Sequence, residues 1–293
     1  MHTDSAALVN SARVGEVLKD AKASFLLKGL ESPESDAEWL MMSLLHCARS
    51  ELFTNSDLTL SAEQVIIFND YVERRISGEP PQYIVGEAEF FGRTFLVNPN
   101  VLIPRPETEI LINEAIAAAG EPRHPGILDI GTGSGNIAIT LAKEIPHAAV
   151  KGIDISAEAL AVAEENKNRH HCNNLTFAQL DILKEHPDGS YDIIVSNPPY
   201  IPMHEMDGLM TDVKDFEPTF ALTDESDGLT YYKRITAIAQ ELLTPGGWVI
   251  AEVGGGEHSN KVMDIFRSYA FQQCELSKDY NGVLRVLKAQ FCG

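Results

Sequence analysis

Gly126-Ile127-Leu128-Asp129-Ile130-Gly131-Thr132-Gly133-Ser134-Gly135 is an apolar run that breaks into a glycine loop. The run reads as a buried strand and the loop as the entry to a helix over 135–144. Outward from it the pattern alternates. Strands are expected at 126–130, 149–153, 175–179, 191–196, 247–253, 271–276 and 283–289. Helices are expected at 135–144, 156–169, 228–243 and 257–269. Such alternation predicts an α/β fold, a parallel sheet with helices on both faces. The last two strands have no helix between them. Asp279-Tyr280-Asn281-Gly282 joins them, and Asn-Gly marks a tight turn, so they form an antiparallel pair at the sheet edge.

A strand that ends in Gly131, Thr132, Gly133, Ser134 and Gly135 must turn sharply and leave room for a ligand against its backbone. The spacing is G-x-G-x-G and lacks the full dinucleotide fingerprint. The next strand ends at Asp154, whose carboxylate can accept from both hydroxyls of a ribose; Ser156 already suits the helix cap. Asp181 ends the third strand, beside an adenine or in solvent. Asp129 lies inside the first strand and suits a brace for the loop. Together these residues can wrap an adenosyl cofactor beyond the carboxyl ends of the strands.

The run Tyr191-Asp192-Ile193-Ile194-Val195-Ser196 opens into Asn197-Pro198-Pro199-Tyr200. Two prolines fix the backbone and leave two carbonyls without amide donors of their own. Asn197 adds a carbonyl acceptor and an amide donor. An NH2 group can then donate one hydrogen to Asn197 and one to the Pro198 carbonyl, while Tyr200 offers an aromatic face. The two loops point to methyl transfer from S-adenosylmethionine to a nitrogen in a flat, conjugated group.

Residues 1–84 read as a helical domain and 85–293 as a hairpin plus the α/β domain. Helices are expected from Leu8 to Ala23, from Ser32-Pro33 with Trp39, Met42, Leu45 and His46 on one face, and after the capping box Ser61-Ala62-Glu63-Gln64. Gly78–Gly86 reads as a linker, and Gly92-Arg93 as the turn of a hairpin. The chain of 293 residues is long enough for two domains and a sizeable core. Its net charge of −20 argues against a grip on a phosphate backbone and favours a protein partner with basic residues. No apolar run approaches the roughly 20 residues of a membrane span, and Met1–Ser5 begins no secretory signal. Cys47, Cys172, Cys274 and Cys292 are far apart and suggest neither a disulfide framework nor a metal site, so the cytoplasm is the expected compartment. His170-His171-Cys172 reads as a solvated helix end.

These residues resemble the bacterial N5-glutamine methyltransferases that modify peptide chain release factors, the PrmC or HemK type. The resemblance runs through Gly78–Gly86, Glu89-Phe90-Phe91-Gly92, Val101–Glu109, Asp129–Gly135, Asp154, Asn197–Tyr200, Glu217-Pro218 and Asp227-Gly228-Leu229. Val101-Leu102-Ile103-Pro104-Arg105-Pro106-Glu107-Thr108-Glu109 is the most specific stretch; Asn-Pro-Pro-Tyr is shared with nucleic-acid methyltransferases. The resemblance implies a Rossmann-like S-adenosylmethionine-dependent methyltransferase sheet, a small N-terminal helical bundle that helps hold the substrate, and a connecting β-hairpin. It implies that Gly131 to Gly135, Asp154, Asp181, Ile182 and Asn197 bind the cofactor, that Asn197, Pro198, Pro199 and Tyr200 hold the amide, and that the acceptor is the glutamine of a Gly-Gly-Gln tripeptide. The expected partners are release factors, without nucleic acid or membrane, met by a monomer. A ribosomal-protein glutamine or an exocyclic amine of a nucleic acid suits the same loops. Glu257 and Ile182 stand where the family often has a glutamine and an aromatic. Arg105 and Glu107 suit either the junction or the cofactor. The stretch from His204 to Asp227 is acidic, with Lys214 its one Lys or Arg.

Overall fold

The run Gly126–Ile130 is a strand whose side chains enter two separate cores. Ile127 joins one, and Leu128 and Ile130 the other. A strand buried on both faces requires a layer on each face. The computed structural model describes residues 12–120, 124–269 and 271–293. The chain divides into two units, Met1–Gly86 and Glu87–Gly293.

The first unit is helical: α1 (Val14–Leu27), α2 (Pro33–Leu45), α3 (Arg49–Thr54), α4 (Ala62–Ile76) and α5 (Pro81–Val85). Of the helix expected from Leu8, residues 8–11 lie outside the described residues, as does the Met1–Ser5 reading. Arg13 pairs with Thr59 in an isolated bridge, so α1 starts only at Val14. The capping box holds: the Ser61 hydroxyl accepts from the Gln64 amide, and Gln64 accepts from that of Ser61. The buried face of α2 is turned from the expected one, with Met42 and Leu45 packing only at its edge. Ala37, Leu40 and Met41 enter the core with Phe25 and Phe68, whereas His46 is exposed and ends the helix in a left-handed conformation. Two acids of α2 are buried as well, and both are paired: Asp36 with Arg75 at 2.8 Å, and Glu38 with Lys22 at 2.9 Å and Arg49 at 2.7 Å. The expected linker contains α5, which begins on Pro81 and closes on Gly86. The unit therefore runs two residues past the expected break at 84.

The second unit opens with the hairpin β1 (Glu87–Phe90) and β2 (Arg93–Leu96). Its turn is Phe91-Gly92, one residue earlier than expected, with φ of 49° and 68°. Two positive φ values match the twist of a two-residue hairpin. A 3-10 turn at Pro106–Thr108 leads to α6 (Glu109–Ala119). Then follow β3 (Gly126–Ile130), α7 (Asn136–Glu144), β4 (Ala149–Asp154), α8 (Ala157–Arg169), β5 (Leu175–Gln179) and β6 (Tyr191–Ser196). The acidic stretch is partly ordered, as a 3-10 turn at Met203–Gly208, α9 (Thr211–Phe216) and α10 (Thr219–Leu222). The chain finishes with α11 (Thr230–Leu242), β7 (Leu243–Glu252), α12 (Glu257–Ser268), β8 (Phe271–Lys278) and β9 (Leu284–Phe291).

The sheet order is β5-β4-β3-β6-β7-β9-β8. From β5 to β7 each neighbour is parallel; β9 inserts beside β7 and is antiparallel to both β7 and β8. Helices α6 and α7 cover one face with Leu111, Ile112, Ile137 and Leu141, and α11 and α12 cover the other with Tyr232, Ile235, Val262 and Phe266. The His170–Cys172 helix end is solvated in part, with His171 exposed. Cys172 is buried, and the His170 ring packs 4.8 Å from Phe95 and meets the Thr94 carbonyl at 2.9 Å.

Candidate active site

The strand order reverses at β3, which has β4 on one side and β6 on the other. Two loops must diverge there, and they leave a crevice beyond the carboxyl ends of the strands. The crevice has a volume of about 970 Å³, its open mouth included. Its walls bring together Gly131, Thr132, Gly133, Ser134, Asp154, Asp181, Ile182, Asn197, Pro198 and Pro199. Gly135 and Tyr200 do not line it.

The glycines divide by role. Gly131 and Gly133 have φ of 74° and 54°, and a Cβ on either would point into open space. Gly135 is the left-handed entry to α7, where a Cβ would meet Ile139, Phe177 and Ala163 at 3.0–3.2 Å. The first two leave a cradle for a ligand, and the third serves the packing of helix on sheet. Asp154 lies beside the cradle. Its Oδ2 accepts from the Gly133 amide at 2.8 Å and its Oδ1 from the Ser156 amide at 3.0 Å. Burial raises its pKa, opposed by those amides. The helix cap belongs to Ser156, which accepts from Ala159. Asp181 pairs with Lys184 at 2.8 Å, which lowers its pKa. Ile182 is buried, and Tyr231 of α11 supplies the aromatic wall that Ile182 does not. An open glycine cradle, a strand-end carboxylate and an apolar wall together fit an adenosyl cofactor.

At the end of β6, Asn197 donates from Nδ2 to the Thr108 hydroxyl at 3.4 Å. Thr108 donates to Glu252 Oε2 at 2.5 Å, and the Tyr200 hydroxyl donates to Glu252 Oε1 at 3.3 Å. The sequence assigns Tyr200 an aromatic face for the substrate. Its ring is half-buried, packs against the core with His258 6.0 Å away and lies off the crevice walls, while Gly228 backs its main chain so closely that a Cβ there would lie 2.2 Å from the Tyr200 carbonyl oxygen. Burial raises the Tyr200 pKa. Burial also pushes Glu252 up to about 6, against the pull of Thr108 and Arg285.

Arg105 lines the crevice and forms an ion pair with the buried Glu217, which also accepts from the Ile103 amide at 3.3 Å. That pair ties the segment before α6 to the acidic stretch, whose Phe220 and Ala221 also reach the crevice. Glu257 is exposed in the first turn of α12 and lies off the crevice walls. Sequence reasoning missed Leu102, Phe220 and Tyr231 on the walls, and Glu252 and Asn166 behind them. Asn166 accepts from the Leu96 amide and donates to the Leu96 and Ser134 carbonyls. Only Glu252 carried a signal, standing at the end of the β7 apolar run as Asp154 stands at the end of β4.

Residues 16–86 match the PrmC N-terminal domain family, and 124–289 match a methyltransferase domain family. A release factor glutamine methyltransferase of Geobacter sulfurreducens is 39% identical over 274 residues, covering 94% of this chain and 95% of that one. One of Koribacter versatilis is 42% identical over 257 residues, covering 87% and 90%. The crystal structure of a methyltransferase from Pyrococcus furiosus shares the fold, at 16% identity and a TM-score of 0.51, covering 79% of this chain and 98% of that one.

Proposed function

The chain belongs to the release factor glutamine methyltransferase family, and we propose that the crevice at the carboxyl ends of β3 and β6 is where it works. There it moves a methyl group from S-adenosylmethionine to the side-chain amide nitrogen of the Gly-Gly-Gln glutamine in peptide chain release factors. One observation carries this reading: Asn197-Pro198-Pro199 and the Gly131–Ser134 cradle with Asp154 line the same cavity.

Bound S-adenosylmethionine supplies an electrophilic methyl group on a sulfonium. The residues of the chain do the rest. Gly131 and Gly133 would let the backbone approach the cofactor, Asp154 would hold its ribose, and Asp181 and Ile182 would border its adenine. Asn197 Oδ1 and the Pro198 carbonyl each accept one hydrogen of the substrate amide. That grip turns the nitrogen lone pair toward the methyl group and favours rehybridisation of a delocalised, weakly nucleophilic nitrogen. As the new N–C bond forms, the methyl–sulfur bond breaks with its electrons going to sulfur, a neutral thioether leaves, and the surplus proton passes from nitrogen to a carbonyl or to water. Orientation supplies most of the rate gain. Tyr200 acts from behind, by holding the loop against Glu252 and the core.

The helical unit holds the body of the release factor, which a tripeptide site alone would not distinguish. The reading extends to a monomer acting in the cytoplasm without direct nucleic-acid contact. Four free cysteines support that compartment. Among the described residues no helix is long and apolar enough to cross a membrane.

The test is mass spectrometry of a purified release factor after incubation with the protein and S-adenosylmethionine. One added methyl on the Gly-Gly-Gln glutamine is expected. No gain, with cofactor binding intact, refutes the acceptor and turns the search to a ribosomal protein or a nucleic acid. Asn197→Ala should lower turnover by at least about 100-fold with cofactor affinity nearly intact, read by single-turnover assay and calorimetry.

A further inference from the structure

We propose that Glu252 and Thr108 are positioning residues that hold the Asn197 carboxamide with its oxygen, not its nitrogen, toward the crevice. The inference rests on Asn197 as the group that receives the substrate amide.

An asparagine amide can sit either way round, and only one way presents an acceptor. Counting hydrogens decides between them. A hydroxyl has one hydrogen, and an ionised carboxylate has none to give. Glu252 is 2% exposed and Thr108 is 1% exposed, so water does not stand in for either partner. The single hydrogen of Thr108 is committed to Glu252 Oε2, 2.5 Å away. The Thr108 oxygen is then left as an acceptor. Asn197 must meet it with Nδ2, as observed, and Oδ1 faces the substrate. A protonated Glu252 reverses this logic. It can donate to Thr108, which frees the Thr108 hydrogen for Asn197 Oδ1. The amide then turns its NH2 into the crevice, against the N–H donors of the incoming glutamine.

The groups facing Glu252 come from every side. Thr108 and Glu107 approach from the 3-10 turn, Tyr200 from the acceptor loop and Arg285 from β9. Tyr232 of α11 donates to the Glu252 backbone carbonyl at 2.7 Å. Burial is the largest influence and pushes the carboxyl up to about 6; Thr108, Arg285 and Tyr200 work downward and Glu107 upward. The ionised form is therefore the form present at neutral pH, and it is lost as pH falls through about 6.

The experiment measures kcat and KM on a purified release factor across that pH range, for wild type, Glu252→Gln, Thr108→Val and Thr108→Ser. A glutamine in place of Glu252 can donate to Thr108 at any pH, so the orientation is no longer enforced. Expected for Glu252→Gln is a roughly 10- to 100-fold fall in kcat, KM values near those of wild type, and loss of the acidic limb seen in wild type. Thr108→Val should match it, and Thr108→Ser should return kcat to within about threefold, because the hydroxyl is restored. Should Glu252→Gln fail to fold, the two Thr108 variants decide, since they leave Glu252 in place. Wild-type kcat with an unchanged acidic limb in Glu252→Gln or Thr108→Val overturns the inference. A wild-type protein that binds cofactor but methylates no release factor overturns the proposed function and this inference with it.

Discussion

Asp129 is fully enclosed in β3, with its Oδ2 accepting from the Thr132 hydroxyl at 2.6 Å. Burial raises its pKa from 3.8 to about 7; Thr132 works against the shift and nearby Asp154 adds to it. A carboxyl with a raised folded pKa stabilises the fold below its unfolded pKa. That contribution is lost as pH rises toward about 7. Asp129→Asn keeps an acceptor for Thr132 and cannot ionise. Its melting temperature should therefore gain on wild type as pH rises from about 4 to about 8, at up to about 1.4 kcal/mol per pH unit across the window. A constant difference between the two proteins over that range would contradict the burial account. The glycine cradle and the strand-end Asp154 were legible in sequence because their chemistry is local: a sharp turn, then a carboxylate at the next strand end. Glu252 shows in the sequence only as another strand-end carboxylate; its tie to Thr108 does not, since the two lie 144 residues apart. The packing of Tyr200 is not legible for a related reason. Its place in the motif names the ring but not the His258 beside it or the Gly228 that backs its main chain.

Asn166 works between elements. It sits fully buried on α8, where its side chain completes the Leu96 backbone of β2 as a neighbouring strand would, and also caps the Ser134 carbonyl of the glycine loop. Asn166→Ala leaves the buried Ser134 carbonyl and the half-buried Leu96 groups without this partner, at a cost of about 1–3 kcal/mol. Chemical denaturation should show that loss together with weaker cofactor binding. Stability within experimental error of wild type would remove Asn166 from this role. The long elements stood out in the sequence because each repeats its apolar period several times. The short ones, α3, α5, α9 and α10, offer one turn of pattern or little more and no periodicity to read. The hairpin turn moved by one residue because backbone twist selects two successive positive φ values, and the register that supplies them centres on Phe91-Gly92.

At the scale of the whole molecule, the two units divide the work that the proposed function requires. In the helical unit Phe53 is 61% exposed and edges a shallow groove with Leu18 and Leu52. Phe53→Asp should raise KM for an intact release factor several-fold. It should leave kcat on a short Gly-Gly-Gln peptide unchanged and stability within about 0.5 kcal/mol. Equal KM values on the intact factor would release this face from substrate binding. The acidic stretch is more than surface charge. Glu217 is drawn inward to Arg105, and Phe220 reaches the crevice wall, so the segment helps to build the site.

The α/β class, the order of strands and helices, the glycine loop and the Asn-Pro-Pro-Tyr tetrad were all decided along the chain, because apolar period, glycine torsion and proline geometry act within a few residues. Only the tertiary structure decided which glycines face the ligand, which side of α2 is buried, that Tyr200 turns inward, and that Asn197, Thr108 and Glu252 form one hydrogen-bonded line. Those outcomes depend on which distant groups are brought together out of water, where a buried donor or acceptor must find its partner in the protein.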